Sequence, residues 1–89
     1  MLTPIRTKQF KQDFKKVLRQ RKDIEKFKTI MAKLAAQETL DIKHRDHKLT
    51  GNFKDRRECH IEPNWLLIYK IEGDKIIFER TGSHSELFR

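Results

Sequence analysis

The segment Arg56–Ser83, RRECHIEPNWLLIYKIEGDKIIFERTGS, decides the fold. It reads as three strands, Arg56 to Glu62, Trp65 to Ile71 and Lys75 to Ser83, with Pro63-Asn64 and Gly73-Asp74 supplying the turns. Gly73 and Asp74 separate two apolar runs, so the second and third strands should close as a tight antiparallel hairpin. Along the first strand Cys59 and Ile61 alternate with Glu58, His60 and Glu62. Successive side chains of a strand point to opposite faces, so Cys59 is expected in the core and His60 on the other face.

Upstream of this meander the period changes. From Lys8 the apolar residues Phe10, Phe14, Val17 and Leu18 recur as the stripe of an amphipathic helix, with Thr7 as its N-cap. Ile24, Phe27, Ile30, Met31 and Leu34 form a second stripe that begins just after Asp23, another N-cap residue. The two make a helical hairpin with a very short turn. Residues 3 to 7 (TPIRT) suit an edge strand, because Pro4 cannot donate to a ladder. From Gln37 to Asp55 the periodicity lapses around Gly51, which marks a connecting stretch carrying His44 and His47. The order predicts one α+β domain over residues 1–89: an N-terminal edge strand and a two-helix hairpin packed on one face of a small antiparallel sheet. The other face, with the 37 to 55 stretch and the C-terminal tail, is left to carry a site.

A formal charge of +8 and a pI near 9.9 point to a polyanionic partner, nucleic acid or an acidic shielding protein. Residues 1–44 hold 12 Lys and Arg against 5 Asp and Glu, whereas residues 45–89 hold 9 against 8, so the basic surface belongs to the helices. One cysteine cannot form an internal disulfide, and a reducing compartment suits it. The first residues, MLTPIRTKQF, lack the apolar run of a signal peptide, and no stretch approaches the roughly 20 apolar residues of a membrane span. A cytoplasmic protein without membrane attachment is expected.

All four histidines, His44, His47, His60 and His84, fall in the second half of the chain. Two histidines converging on one phosphate can act as general base and general acid near neutral pH. RNA brings its own nucleophile, the 2′-hydroxyl, and needs besides these only positive charge for the phosphorane. Arg80 has the planar fork that holds two phosphate oxygens, unless it pairs with Glu79 or Glu62 instead. Trp65 and Phe88 stand where rings could stack on unpaired bases, although Trp65 fits a place in the core equally well. Phe10, Phe14, Phe27, Phe53 and Phe78 read as core. His44 reads as a surface or hydrogen-bonded residue. The His44, His47 and Cys59-His60 spacing matches no zinc pattern, so neither a metal nor a cofactor is expected.

From Asp46 to Phe88 the chain resembles the second half of YafQ-type toxins of the RelE/ParE superfamily. The specific pieces are DHxLxG at Asp46 to Gly51, HIEPxW at His60 to Trp65, LIYK at Leu67 to Lys70 and FERTGSHxxLF at Phe78 to Phe88. The helical half matches only in pattern and basic character. The resemblance implies a RelE-like fold and a toxin of a type II toxin-antitoxin system that cuts mRNA in the ribosomal A site. It also implies contact with ribosomal RNA, inhibition by a DinJ- or RelB-like antitoxin, and contact with operator DNA only through the antitoxin complex. By position it assigns catalysis to His47, His60, Arg80 and His84, and substrate contacts to Asn64, Trp65 and Phe88. The chain departs from the family at Asn64, where an aspartate often precedes the tryptophan; an amide there can still orient a neighbour. The rivals are a gyrase-inhibiting toxin like the ParE branch and a non-catalytic RNA-binding module.

Overall fold

A computed structural model describes residues 1–53 and 55–88. Lys54, in the connecting stretch, and Arg89 lie outside them. The elements follow one another as β1 (Thr3–Arg6), α1 (Lys8–Arg19), α2 (Ile24–Ala35), β2 (His47–Lys48), β3 (Arg57–Glu62), β4 (Trp65–Glu72), β5 (Lys75–Gly82) and α3 (His84–Leu87). Short 3-10 turns at Ile42–His44 and Gly51–Phe53 flank β2.

Both helices start where their caps predict. The Thr7 hydroxyl accepts from the Phe10 amide at 3.0 Å and the Asp23 carboxylate from the Lys26 amide at 3.1 Å. Each satisfies a donor left open by the first turn. Phe10 and Val17 of α1 and Phe27, Ile30 and Leu34 of α2 are buried against the sheet, but Leu18, expected in the stripe, is 50% exposed. Aromatic rings knit the layers together: Phe10 lies 5.9 Å from Phe78 and 6.0 Å from Phe27, which lies 5.0 Å from Trp65. Fully burying one such ring contributes about 1.5–3 kcal/mol, so this cluster is the main anchor of the hairpin.

The sheet has the order β1-β5-β4-β3-β2. The β3-β4-β5 meander is antiparallel, with turns at Pro63-Asn64 and at Gly73-Asp74, where Gly73 takes a φ of +61°. The sheet is nevertheless mixed. β1 pairs with β5 in parallel, Pro4 opposite Ile76, so the expected all-antiparallel sheet gives way at this edge. The two helices carry the chain from β1 at one edge of the sheet toward β2 at the other, and three antiparallel steps from β2 bring β5 back beside β1 running in the same direction. Pro4 does lie on an edge strand. β2, inside the stretch expected to be a loop, adds a fifth strand too short for periodicity to reveal.

Cys59, Ile61, Trp65, Leu67 and Tyr69 face the helices within the main core. Leu66 and Ile68 face the other way and are covered by Leu49, Phe53, Leu87 and Phe88. Phe53, expected in the core, belongs to this second and smaller cluster. Among the described residues no helix is long and apolar enough to cross a membrane.

Candidate active site

Residues opposite one another on neighbouring strands share a face, and the register sets two rows across the side away from the helices. One row runs His47, Glu58, Ile68, Arg80 over β2 to β5; the next runs His60, Leu66, Gly82 and leads to His84. With strands about 4.8 Å apart, Glu58 and Arg80 lie roughly 10 Å apart at the backbone, on either side of an apolar centre.

Glu58 organises the histidine side. It is buried, at 4% exposure, and its Oε1 lies 3.1 Å from His60 Nε2 and 3.8 Å from His47 Nε2. A carboxylate accepts, so His60 donates through Nε2 and keeps its lone pair on Nδ1. His47 is held differently: its Nδ1 lies 2.6 Å from the carbonyl of Arg45, which can only accept, so the lone pair of the neutral ring stays on Nε2. The structure thus places His47 and His60 beside one carboxylate, hydrogen-bonded to His60 and able to pair with His47 once that ring is protonated, to which sequence reasoning assigned no role. The signal was there, since Glu58 precedes His60 by two residues and must share its face.

The loop bearing His47 is tied down from the opposite face. Tyr69 donates its hydroxyl to Asp46 at 2.6 Å, and Arg57 Nε reaches the same oxygen at 3.2 Å. Burial, and then the bond to Asp46, push the Tyr69 hydroxyl well above its usual range, so it remains a donor. His44 is a hydrogen-bonded residue as expected: its Nδ1 donates to the His60 carbonyl at 2.7 Å.

Arg80 owes its place to a bulge. Tyr69 pairs with Phe78, yet Ile68 pairs with Arg80, which leaves Glu79 as the extra residue. Strict alternation from Phe78 would turn Arg80 toward the helices; the inserted residue re-aims it. The start of α1 holds this irregularity: the Thr7 hydroxyl donates to the Glu79 carbonyl at 3.0 Å, and Asp13 Oδ2 accepts from the Thr81 amide at 3.2 Å and from Arg80 Nε at 2.8 Å. Arg80 therefore pairs with Asp13, a partner 67 positions away, and neither with Glu79, which Arg56 engages at 2.6 Å, nor with Glu62. Asp13 uses the Nε–Nη2 edge of the guanidinium, and among the described residues no hydrogen bond or ion pair engages Nη1. No hydrogen bond or ion pair joins Arg80 to a histidine among the described residues.

His84 opens α3, an exposed residue whose ring lies 5.1 Å from that of Phe88. Asn64, on the β3–β4 turn, accepts the His84 amide on Oδ1 at 3.0 Å. Ser83 and Glu86 cap the helix reciprocally. A hydrogen bond from Lys16, and then the Ser83 amide, hold the Glu86 carboxyl down at about 2. Phe88 packs edge-on against Phe53 with centroids 5.3 Å apart and is half-buried. Of the two places open to Trp65 the core is the one it takes, and the expected stacking role gives way: the ring is fully buried and donates Nε1 to Thr81 Oγ1 at 3.0 Å, which leaves no face exposed to a base. Among the described residues no three His, Cys, Asp or Glu side chains form a metal-binding group.

The family model for the YafQ bacterial toxin of type II toxin-antitoxin systems matches residues 2–89. The mRNA interferase toxin YafQ of Escherichia coli K12 is 40% identical over 82 residues, which cover 90% of this chain and 88% of that protein. A copper-bound mutant toxin from Helicobacter pylori superposes with a TM-score of 0.95 at 41% identity, over 99% of this chain and all of the other. YafQ in the Escherichia coli DinJ–YafQ complex superposes with a TM-score of 0.91 at 36% identity, over the whole of both chains.

Proposed function

The chain belongs to the YafQ family of bacterial toxins of type II toxin-antitoxin systems, and from that premise we propose that it is an mRNA endoribonuclease working in the ribosomal A site, without a metal, and silenced by a DinJ-like antitoxin. The observation that carries the chemistry is the pair of rows across β2 to β5, which puts His47, Glu58 and His60 on one side of an apolar centre and Arg80 and His84 on the other.

In the proposed step a base on the β2–β3 side, His47 Nε2 or His60 Nδ1, takes the proton of the 2′-hydroxyl. O2′ then forms a bond to phosphorus while the bond from phosphorus to O5′ breaks, and His84 gives that oxygen a proton. Glu58 stabilises the imidazolium that the base becomes. Arg80, its plane set by Asp13, offers Nη1 to a non-bridging oxygen of the phosphorane. Asn64 holds the first turn of α3 and with it His84. Phe88, half-buried beside His84, is the remaining candidate for stacking on a base. The basic face of α1 and α2 docks on ribosomal RNA, so affinity should fall steeply with salt. An acidic or amphipathic antitoxin segment covers that charge in the cytoplasm, and operator DNA is met only through the complex.

Purified toxin, ribosomes carrying a defined mRNA and 5′-end mapping test this reading. Cuts at fixed codon positions are expected, unaffected by EDTA and abolished by a 2′-O-methyl group at the cut nucleotide. Equal cutting of free mRNA would overturn the dependence on ribosomes, and cutting past the 2′-O-methyl group would overturn the mechanism. No cutting at all would favour a gyrase-directed toxin or a plain RNA binder.

A further inference from the structure

The 3-10 turn Ile42–His44 brings a second surface against the histidine side. Lys26, Lys43, His44, Arg45, His60 and Glu62 line a cleft of about 310 Å³ between α2 and β3. A neighbouring cleft of about 230 Å³ shares Lys26, Lys43 and His44 and adds Lys33 and Asp41. Together they make a trough that starts at His60 and carries four cations against two carboxylates. Its cations are largely free. Lys26 has Glu62 at 3.7 Å with both side chains substantially exposed, whereas Lys33, Lys43 and Arg45 make no ion pair among the described residues. In the cleft that Lys16 and Arg80 line against α1, by contrast, Lys16 is paired with Glu86 and Arg80 with Asp13.

The trough is also built rather than merely charged. Arg45 sits at a φ of +47°, a left-handed conformation that costs a residue with a side chain roughly 1–2 kcal/mol and persists only where its surroundings enforce it. Here they do. The Arg45 amide donates to the Ile42 carbonyl at 3.1 Å, the Arg45 carbonyl accepts from His47 at 2.6 Å, and His44 is pinned to the β3 backbone at 2.7 Å. The bend His44-Arg45-Asp46-His47 thus gives His47 to Glu58 and His44 to the trough.

We propose that this trough is a phosphate-binding subsite for the substrate strand, in which Lys26, Lys43 and Arg45 hold the phosphodiesters next to the one being cut. The assignment rests on the reading that the histidine side cuts RNA. A row of cations, of which only Lys26 has an acidic partner among the described residues, runs beside the backbone of a candidate base and attracts a strand whose reacting nucleotide lies at that base, without regard to sequence. His44 forms its wall through the bond to His60.

The test is the variant Lys26→Gln/Lys43→Gln/Arg45→Gln, in which none of the changed side chains belongs to the core. Binding is measured to a short single-stranded oligoribonucleotide, to ribosomes with a codon in the A site and to ribosomes whose mRNA ends in the P site. The variant should bind the oligonucleotide and the codon-bearing ribosomes about tenfold or more weakly. The slope of log affinity against log salt for the oligonucleotide should shrink by about 2, since each lost single-strand phosphate contact removes about 0.7. Binding to ribosomes with an empty A site should be unchanged. Equal loss on both kinds of ribosome would assign the trough to ribosomal RNA, and an unchanged oligonucleotide affinity and slope would overturn the proposal. A wild-type protein that cuts nothing would sink the functional reading instead, while the oligonucleotide slope would still decide whether the trough binds phosphate.

Discussion

Replacing Asp13 by Asn tests how the fold presents Arg80. The carboxylate accepts four hydrogen bonds: Oδ2 from Arg80 Nε at 2.8 Å and the Thr81 amide at 3.2 Å, Oδ1 from Arg80 Nη2 at 3.3 Å and Gln9 Nε2 at 3.1 Å. An amide with its oxygen in the Oδ2 position keeps the first two. Its NH2 then meets Arg80 Nη2 donor to donor, while Gln9 can turn its own amide to accept. One charge-assisted bond and the pair's Coulomb attraction are lost. The Arg80 and Asp13 side chains are 32% and 11% exposed, which puts the loss between the 0–1 kcal/mol of a surface pair and the 3–5 kcal/mol of a broken buried one. A value of about 1.5 kcal/mol lowers Tm by roughly 6–12 °C in a domain of this size. Thermal unfolding of Asp13→Asn, Arg80→Ala and the double variant should show a coupling of about 1 kcal/mol. At 25 °C, where the single variant is still folded, cleavage should fall about 10- to 100-fold through kcat, because the guanidinium is misplaced and not removed. Additivity within about 0.3 kcal/mol, with a wild-type kcat, would refute the reasoning.

Three further outcomes follow from the same geometry. His84→Ala should cost about 10²-fold or more in cleavage, as loss of a general acid does, and a near wild-type rate would remove it from the mechanism. Asn64→Asp keeps an acceptor for the His84 amide at 3.0 Å, so cleavage should change only slightly; a gain of about a hundredfold would mean that a carboxylate there moves protons. Glu86, held at about 2 against an ordinary 4.5, stabilises α3 above its unfolded pKa and loses that contribution as the pH falls through the folded one. The Leu87 and Phe88 amide signals in NMR should therefore shift toward unfolded values between about pH 4.5 and 2, and should not do so in Glu86→Gln. Identical titrations of the two proteins would sink that assignment.

What the sequence determined by itself is whatever depends on neighbours along the chain. The stripes from Phe10 to Val17 and from Ile24 to Leu34, the caps at Thr7 and Asp23, and the turns at Pro63-Asn64 and Gly73-Asp74 all lie where local periodicity and turn chemistry put them. The same alternation turned Cys59 into the core, where burial pushes its thiol well up, and His60 to the opposite side. Relationships across the sheet were not legible in this way. The bulge at Glu79, which decides the face that Arg80 occupies, is a matter of register between β4 and β5. The Asp13 partner of Arg80 joins a helix to a strand across 67 positions of chain. The Glu58 carboxylate came to stand between two histidines only when β2, two residues long, laid His47 beside it. Trp65 could have gone to either side, and the choice fell to Phe27 and the Thr81 hydroxyl, which offered its ring a packed neighbour and its N–H an acceptor. Propensity is a sum over adjacent residues, whereas register, bulges and long-range hydrogen bonds are fixed only when separate elements compete for the same core; in this chain that competition assembles the candidate site.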